Sequence, residues 1–232
     1  MLEKKSLLHQ SLHEQKKLVE KLIKTSRTDL NYYLMLILSA IIISLGLIIQ
    51  NDVVVIAGAF VAPILSPILS FGIAVVTGHG AALWRSFKII AQSVLVVMLV
   101  AYFSAFVFIT LEGSVIDLVA IDRSYLIYFL IAVAAGMAVA IAWAIPHLSL
   151  TVPDVAVSLA LLPAVAATGI GAALGDIDII NSSARIFGLN LLGLTLAAAL
   201  VFSLLGYART RRKENSILQQ EAKKGNKGII SH

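Results

Sequence analysis

The sequence predicts an all-α polytopic membrane protein: about six transmembrane helices, built as two inverted three-helix repeats with Pro-broken helices. Three observations predict it. The chain is 59% hydrophobic and only 13% charged, with a mean hydropathy of +0.94; a soluble domain of this size needs far more polar surface. The charges are segregated, leaving 22 residues between Asp29 and Asp52 and 32 between Asp52 and Arg85 without Asp, Glu, Lys or Arg. Similar gaps run from Lys88 to Glu112, Ser124 to Pro153, Val155 to Gly175 and Ile186 to Ala208. A span takes roughly 20 apolar residues. Two proline-bearing apolar segments then fall in matching places in the two halves of the chain.

Residues 1–30 form a basic arm, in which Ser6 to Ser26 place Leu8, Leu12, Val19, Leu22 and Ile23 on one helical face. Such an amphipathic helix lies on an anionic membrane surface. A short coiled coil between protomers is the other reading, but Gln15 sits in its seam and three full heptads are lacking. His9 and His13 are four apart, too few ligands for a metal. No cleavage pattern follows Tyr32 to Ile49, so the first span is expected to stay in the mature chain. The transmembrane domain covers 31–208, with spans Asn31–Ile49, Val53–Gly78, Phe87–Thr110, Tyr125–Ile145, Val155–Gly175 and Ser183–Gly206. Residues 209–232 read as a basic, disordered tail.

With six spans, sixteen of the 18 Lys and Arg fall on one side: in the arm, at Arg85 and Lys88, and in the tail. The other side carries Asp52, Glu112, Asp117, Asp122, Asp176 and Asp178, with Arg123 and Arg185. The positive-inside rule puts both termini in the cytoplasm. The charge excess of +5 does not indicate a nucleic-acid partner.

The repeat is read from offsets. Pro67 and Pro163 are 96 apart, Gly72 and Gly169 are 97, and so are Gly78 and Gly175, while Arg85 and Arg185 are 100 apart. Halves at about 31–110 and 125–206 each hold three spans, and an odd number inverts the second. Paired interruptions in inverted halves point to a transport site near the bilayer midplane. In the first segment Pro63 and Pro67 stack on one helix face, leaving carbonyls around Ala59 and Pro63 short of donors, with Ser66 and Ser70 beside them. Freed carbonyls and hydroxyls can coordinate a dehydrated cation or a hydrogen-bonding solute. The plain alternative is a kinked span whose serines bond back to their own backbone.

The second segment opens at Thr151-Val-Pro-Asp154, close to a capping box. Asp154 is either satisfied by helix-end amides or acts as a cation or proton relay. Pro163, Thr168, Gly169 and Gly171 echo the first break. Gln92 and Asn190, early in the third and sixth spans, either bind helices together or line the midplane as a near-symmetric pair. Gly72, Gly78, Gly169 and Gly175 serve as hinges or points of close approach. His79 and His147 fall near the cytoplasmic side and could tune a pH response. The small-residue content of spans two, four, five and six implies a compact core, with spans one and three more lipid-like.

No catalytic constellation, phosphate loop or metal motif is present, and cysteine is absent, so neither an enzyme nor a cofactor is expected.

The stretches Gly58-Ala-Phe-Val-Ala-Pro-Ile-Leu-Ser-Pro-Ile-Leu69, Ala160-Leu-Leu-Pro-Ala-Val-Ala-Ala-Thr-Gly-Ile-Gly-Ala-Ala-Leu-Gly-Asp176 and Asn190-Leu-Leu-Gly193 resemble the prokaryotic membrane family known as domain of unknown function 389. The likeness covers about 53–205. It implies a multispan domain in a prokaryotic plasma (inner) membrane and brings no established activity. Members often carry a larger soluble N-terminal domain than this arm, and many resemble a Pro-Pro pair where this chain has Pro163-Ala164. The expected function is a transporter or channel for an ion or small solute, assembled as a homo-oligomer. The alternative is a non-transporting scaffold or sensor acting through its basic termini.

Overall fold

The computed structural model describes residues 29–78, 80–113, 124–144 and 151–205, with no side-chain description at 151 and 152. Residues 1–28 of the basic arm, the tail, His79 and His147 lie outside them. Every described element is helical: α1 (Leu30–Ile48), α2 (Asp52–Val61), α3 (Leu65–Thr77), α4 (Gly80–Glu112), α5 (Tyr125–Ala144), α6 (Thr151–Leu174) and α7 (Ile177–Leu204). Five of these are long and apolar enough to cross a bilayer, and α2 with α3 is a bent apolar pair that forms either a sixth, broken span or a re-entrant loop. Unlike the arrangement expected from its charges, α4 begins at Gly80 and α7 at Ile177. Charged residues mark where the apolar stretch ends, whereas a helix continues until its cap.

Two turns share one design. Gln50 takes φ = 53°, and the Asn51 N–H donates to the Gly46 carbonyl at 2.8 Å. Asn51 Oδ1 then accepts from Val53 N and Val54 N to start α2. Between α6 and α7, Gly175 takes φ = 68° and the Asp176 N–H donates to the Gly171 carbonyl at 3.0 Å. Asp176 Oδ1 accepts from Asp178 N and Ile179 N. A left-handed residue closes one helix and an Asx side chain opens the next.

The two proline segments differ. Between α2 and α3 the chain bends by 67°. Ala62, forced out of the helical region by Pro63, has ψ = 126°. The Ala59 carbonyl is not left short, because it accepts from Ala62 N at 3.3 Å. Ala62 and Ile64 are buried, so non-helical backbone is covered by protein. The second segment has no break: α6 is one continuous helix from Thr151 to Leu174 with Pro163 inside it. An interior helix tolerates the missing N–H when neighbours supply other partners.

α6 is the centre of the bundle, packing against all six other described helices. Its span is 72% buried against 17% for α4, while α1 and α5 are each 39% buried. The lipid-like expectation therefore fits α4, but α1 is no more exposed than α5. Small residues set the spacing. A Cβ at Gly58 would meet Ile43 N at 2.9 Å, and Ser39 Oγ donates to the Gly58 carbonyl at 2.8 Å. α3 lies on α7 at Gly72, where a Cβ would stand 3.0 Å from the Ala198 Cβ. α6 lies on α4 at Gly169, where it would stand 3.0 Å from the Ala101 Cβ.

Candidate functional site: a cavity beside Pro163

A cavity of about 800 Å³ opens at the end of the bundle that carries the two tight turns. Gly46, Gln50 and Asp52 form one side of it, Tyr128 and Ile131 of α5 another, and Ser183 and Asn190 of α7 a third. α6 supplies the wall from Ala156 to Ala167, including Leu159, Ala160 and Pro163. The wall is mostly apolar, with a small number of placed oxygens, as ligand cavities are.

Asn190 is 3% exposed and donates from Nδ2 to the Ala160 carbonyl at 2.6 Å. Its Oδ1 is buried without a hydrogen-bond partner. One turn away, Pro163 has no N–H, so the Leu159 carbonyl loses the donor that a helix supplies four residues on. Oxygen acceptors thus outnumber donors in this part of the wall. That chemistry suits a cation or a solute that presents N–H or O–H groups.

Of the residues expected to line a pathway, the cavity brings together only Pro163 and Asn190. Ser66 is half-buried and Ser70 buried; both have partners, and neither they nor Pro63 and Pro67 line the cavity. Thr168 donates to the Ala164 carbonyl of its own helix at 2.8 Å. Gln92 is not paired with Asn190: its Oε1 accepts from Tyr33 OH at 3.0 Å at an exposed position, tying α1 to α4. Beside it Tyr32 OH lies 2.7 Å from Ser93 Oγ, and Ser93 donates to the Ile89 carbonyl. Tyr32 is therefore the donor in that pair. Asp154 stands off the cavity, and its Oδ1 is buried with no partner, so no helix-end amide satisfies that oxygen.

The glycines divide into two jobs. Gly72 and Gly169 are points of close approach, while Gly78 (φ = 64°) and Gly175 (φ = 68°) end helices in the left-handed conformation. The cavity residues Gln50, Tyr128 and Ser183 were not singled out from sequence. Their only signal is a polar residue near a span end, which solvated residues share.

Fold and cavity together define a multi-pass helical membrane protein with an open cavity between its helices. The chain belongs to the family described as Domain of unknown function (DUF389), whose model matches residues 59–196. It is also similar to an uncharacterized protein of Methanocaldococcus jannaschii, 26% identical over 181 residues. That match covers 77% of this chain and 55% of the relative, so the chain spans about half of that protein's length. No solved structure matches.

Proposed function

We propose that this protein is a transporter or channel for a small cation or a small hydrogen-bond-donating solute, bound in the cavity beside Pro163. One observation carries the reading: Asn190 Oδ1 is buried on the cavity wall with no partner. An unsatisfied buried acceptor costs on the order of 1–3 kcal/mol, and a ligand that donates to it offsets that cost. The acidic Asp52 at the rim suits a positively charged ligand. By the charge asymmetry the rim is extracytoplasmic and both termini are cytoplasmic.

The reading includes two inverted repeats, assembled in a homo-oligomer, and transport rather than catalysis. Supporting the repeat, Gly72 meets Ala198 and Gly169 meets Ala101. Both members of the first pair shift by 97 positions, in opposite senses, to give the second. Such an exchange is what a two-fold axis relating the halves produces.

The test uses the natural absence of cysteine. A single cysteine at Ala160, half-buried on the cavity wall, should react with a membrane-impermeant thiol reagent added from outside, and one at the buried Ser70 should not. Liposomes holding the protein should then pass radiolabelled alkali or small organic cations faster than empty ones, and Asn190→Leu should abolish the difference. An unreactive Ala160→Cys, or no flux above empty liposomes across that panel, would count against the proposal.

A further inference from the structure

Ser44, Thr77, Ser93, Thr110, Thr168 and Thr195 each donate to the carbonyl four residues back in their own helix. Ser158 departs from this habit. It is 0% exposed, yet its Oγ has no hydrogen-bond partner. Four residues back is Asp154, whose Oδ1 is likewise buried and unpartnered. Residues four apart share one helix face, so two unsatisfied oxygens stand on successive turns of the most buried of the five long helices. Each costs on the order of 1–3 kcal/mol, and more for a charged carboxylate. A common partner satisfies both.

The face they share is not the cavity face. Steps of four, three and four from Ser158 reach Leu162, Val165 and Gly169, and Gly169 rests on Ala101 of α4. At 3.6 residues per turn, Pro163 stands about 180° around α6 from Asp154. Among the described residues, the ionisable side chains on the neighbouring helices do not supply the partner. Tyr32 and Tyr33 of α1 bond to Ser93 and Gln92, and Arg85 and Lys88 of α4 are exposed. Asp52, Tyr125, Tyr128, Asp178 and Arg185 belong to the turn end, where α2 and α7 begin and α5 starts. None of them bonds to Asp154 Oδ1.

We propose that Asp154 and Ser158 hold a sodium-sized monovalent cation, at a site separate from the cavity. Two oxygens and one negative charge suit a hard cation of single charge. The two oxygens make no hydrogen bond to each other, so one proton on the carboxylate does not satisfy both as they stand, whereas an ion bonded to both would. The site stands independently of the transport reading, because its test measures occupancy and not flux.

The full-length protein in detergent is assayed for binding of radiolabelled sodium by scintillation proximity, with unlabelled NaCl or choline chloride as competitor. Saturable binding that NaCl displaces and choline chloride does not is expected. Asp154→Asn, nearly the same shape, should abolish it while eluting from size exclusion as the wild type does. Ser158→Ala should weaken it about tenfold, equivalent to about 1.4 kcal/mol. Absence of saturable binding in the wild type overturns the proposal, and so does binding that survives Asp154→Asn. Binding lost with Asn190→Ala but retained with Asp154→Asn would place the ion in the cavity and overturn it equally.

Discussion

Gly169 sits against Ala101 so closely that a Cβ on the glycine would lie 3.0 Å from the alanine Cβ. The same separation holds between Gly72 and Ala198, in helices of the other pairing. Only a residue without a side chain lets the backbones of α6 and α4 approach this far. A methyl group on Gly169 would come closer still to the Met98 carbonyl than to Ala101. Gly169→Ala should therefore destabilise by about 2 kcal/mol, the scale of overpacking in a filled core. Gly72→Ala should cost less, because its next neighbour is 3.9 Å away. Gly188→Ala, with nothing within 4 Å, should be neutral or stabilising. Thermal unfolding in detergent ranks the three, and equal losses at all three positions would refute the close-approach account.

Asn190 both ties α7 to α6 and presents an acceptor to the cavity. Asn190→Ala should cost about 1 kcal/mol of stability, typical of hydrogen bonds between membrane helices. Asn190→Asp keeps an oxygen on the cavity wall but loses the donor to Ala160. If the cavity binds cations, Asp should preserve or tighten cation binding while Ala abolishes it. Equal effects of the two on binding would show that Asn190 acts only in packing.

Prolines in the two segments should respond differently. Pro163→Ala restores an N–H to a helix that is already continuous, so stability should rise, by no more than the roughly 3 kcal/mol that separates the two residues in a helix. The restored donor would occupy the Leu159 carbonyl, and flux through the cavity should fall. Pro63→Ala with Pro67→Ala favours a straight helix where the fold needs a 67° bend. That double variant should lose stability and reduce flux. Unfolding temperature and liposome flux, measured together, separate these outcomes.

The two tight turns offer a paired check on backbone strain. Gly175→Ala places a side chain at φ = 68°, with open space around it, and should cost about 1 kcal/mol from conformation alone. Gln50→Gly at φ = 53° should stabilise by up to about 1 kcal/mol. Opposite shifts in unfolding temperature are expected. Shifts of the same sign would mean that contacts, not φ, dominate at these turns.

Composition and charge spacing by themselves determined that the chain is a multi-pass helical membrane protein, where its apolar stretches lie, and that its second span is interrupted at Pro63. These are local or additive properties: transfer of apolar residues sums along the chain, and a proline acts on its own turn. The offsets also singled out Gly72 with Gly169 and Gly78 with Gly175, because a backbone without a side chain leaves its mark in the residue type. Tertiary packing decided the rest. Pro163 stays inside a continuous helix that packs against the other described helices, and Asn190 bonds the Ala160 carbonyl across thirty residues. Thr168 and Gln92 look no different from Asn190 in sequence, yet one bonds its own helix and the other a tyrosine. Whether a polar side chain finds a partner depends on which helix faces it, and no spacing within one helix specifies that neighbour. Ser158 is set apart for the same reason: its distinction is a bond it does not make, visible only once every neighbouring helix is in place.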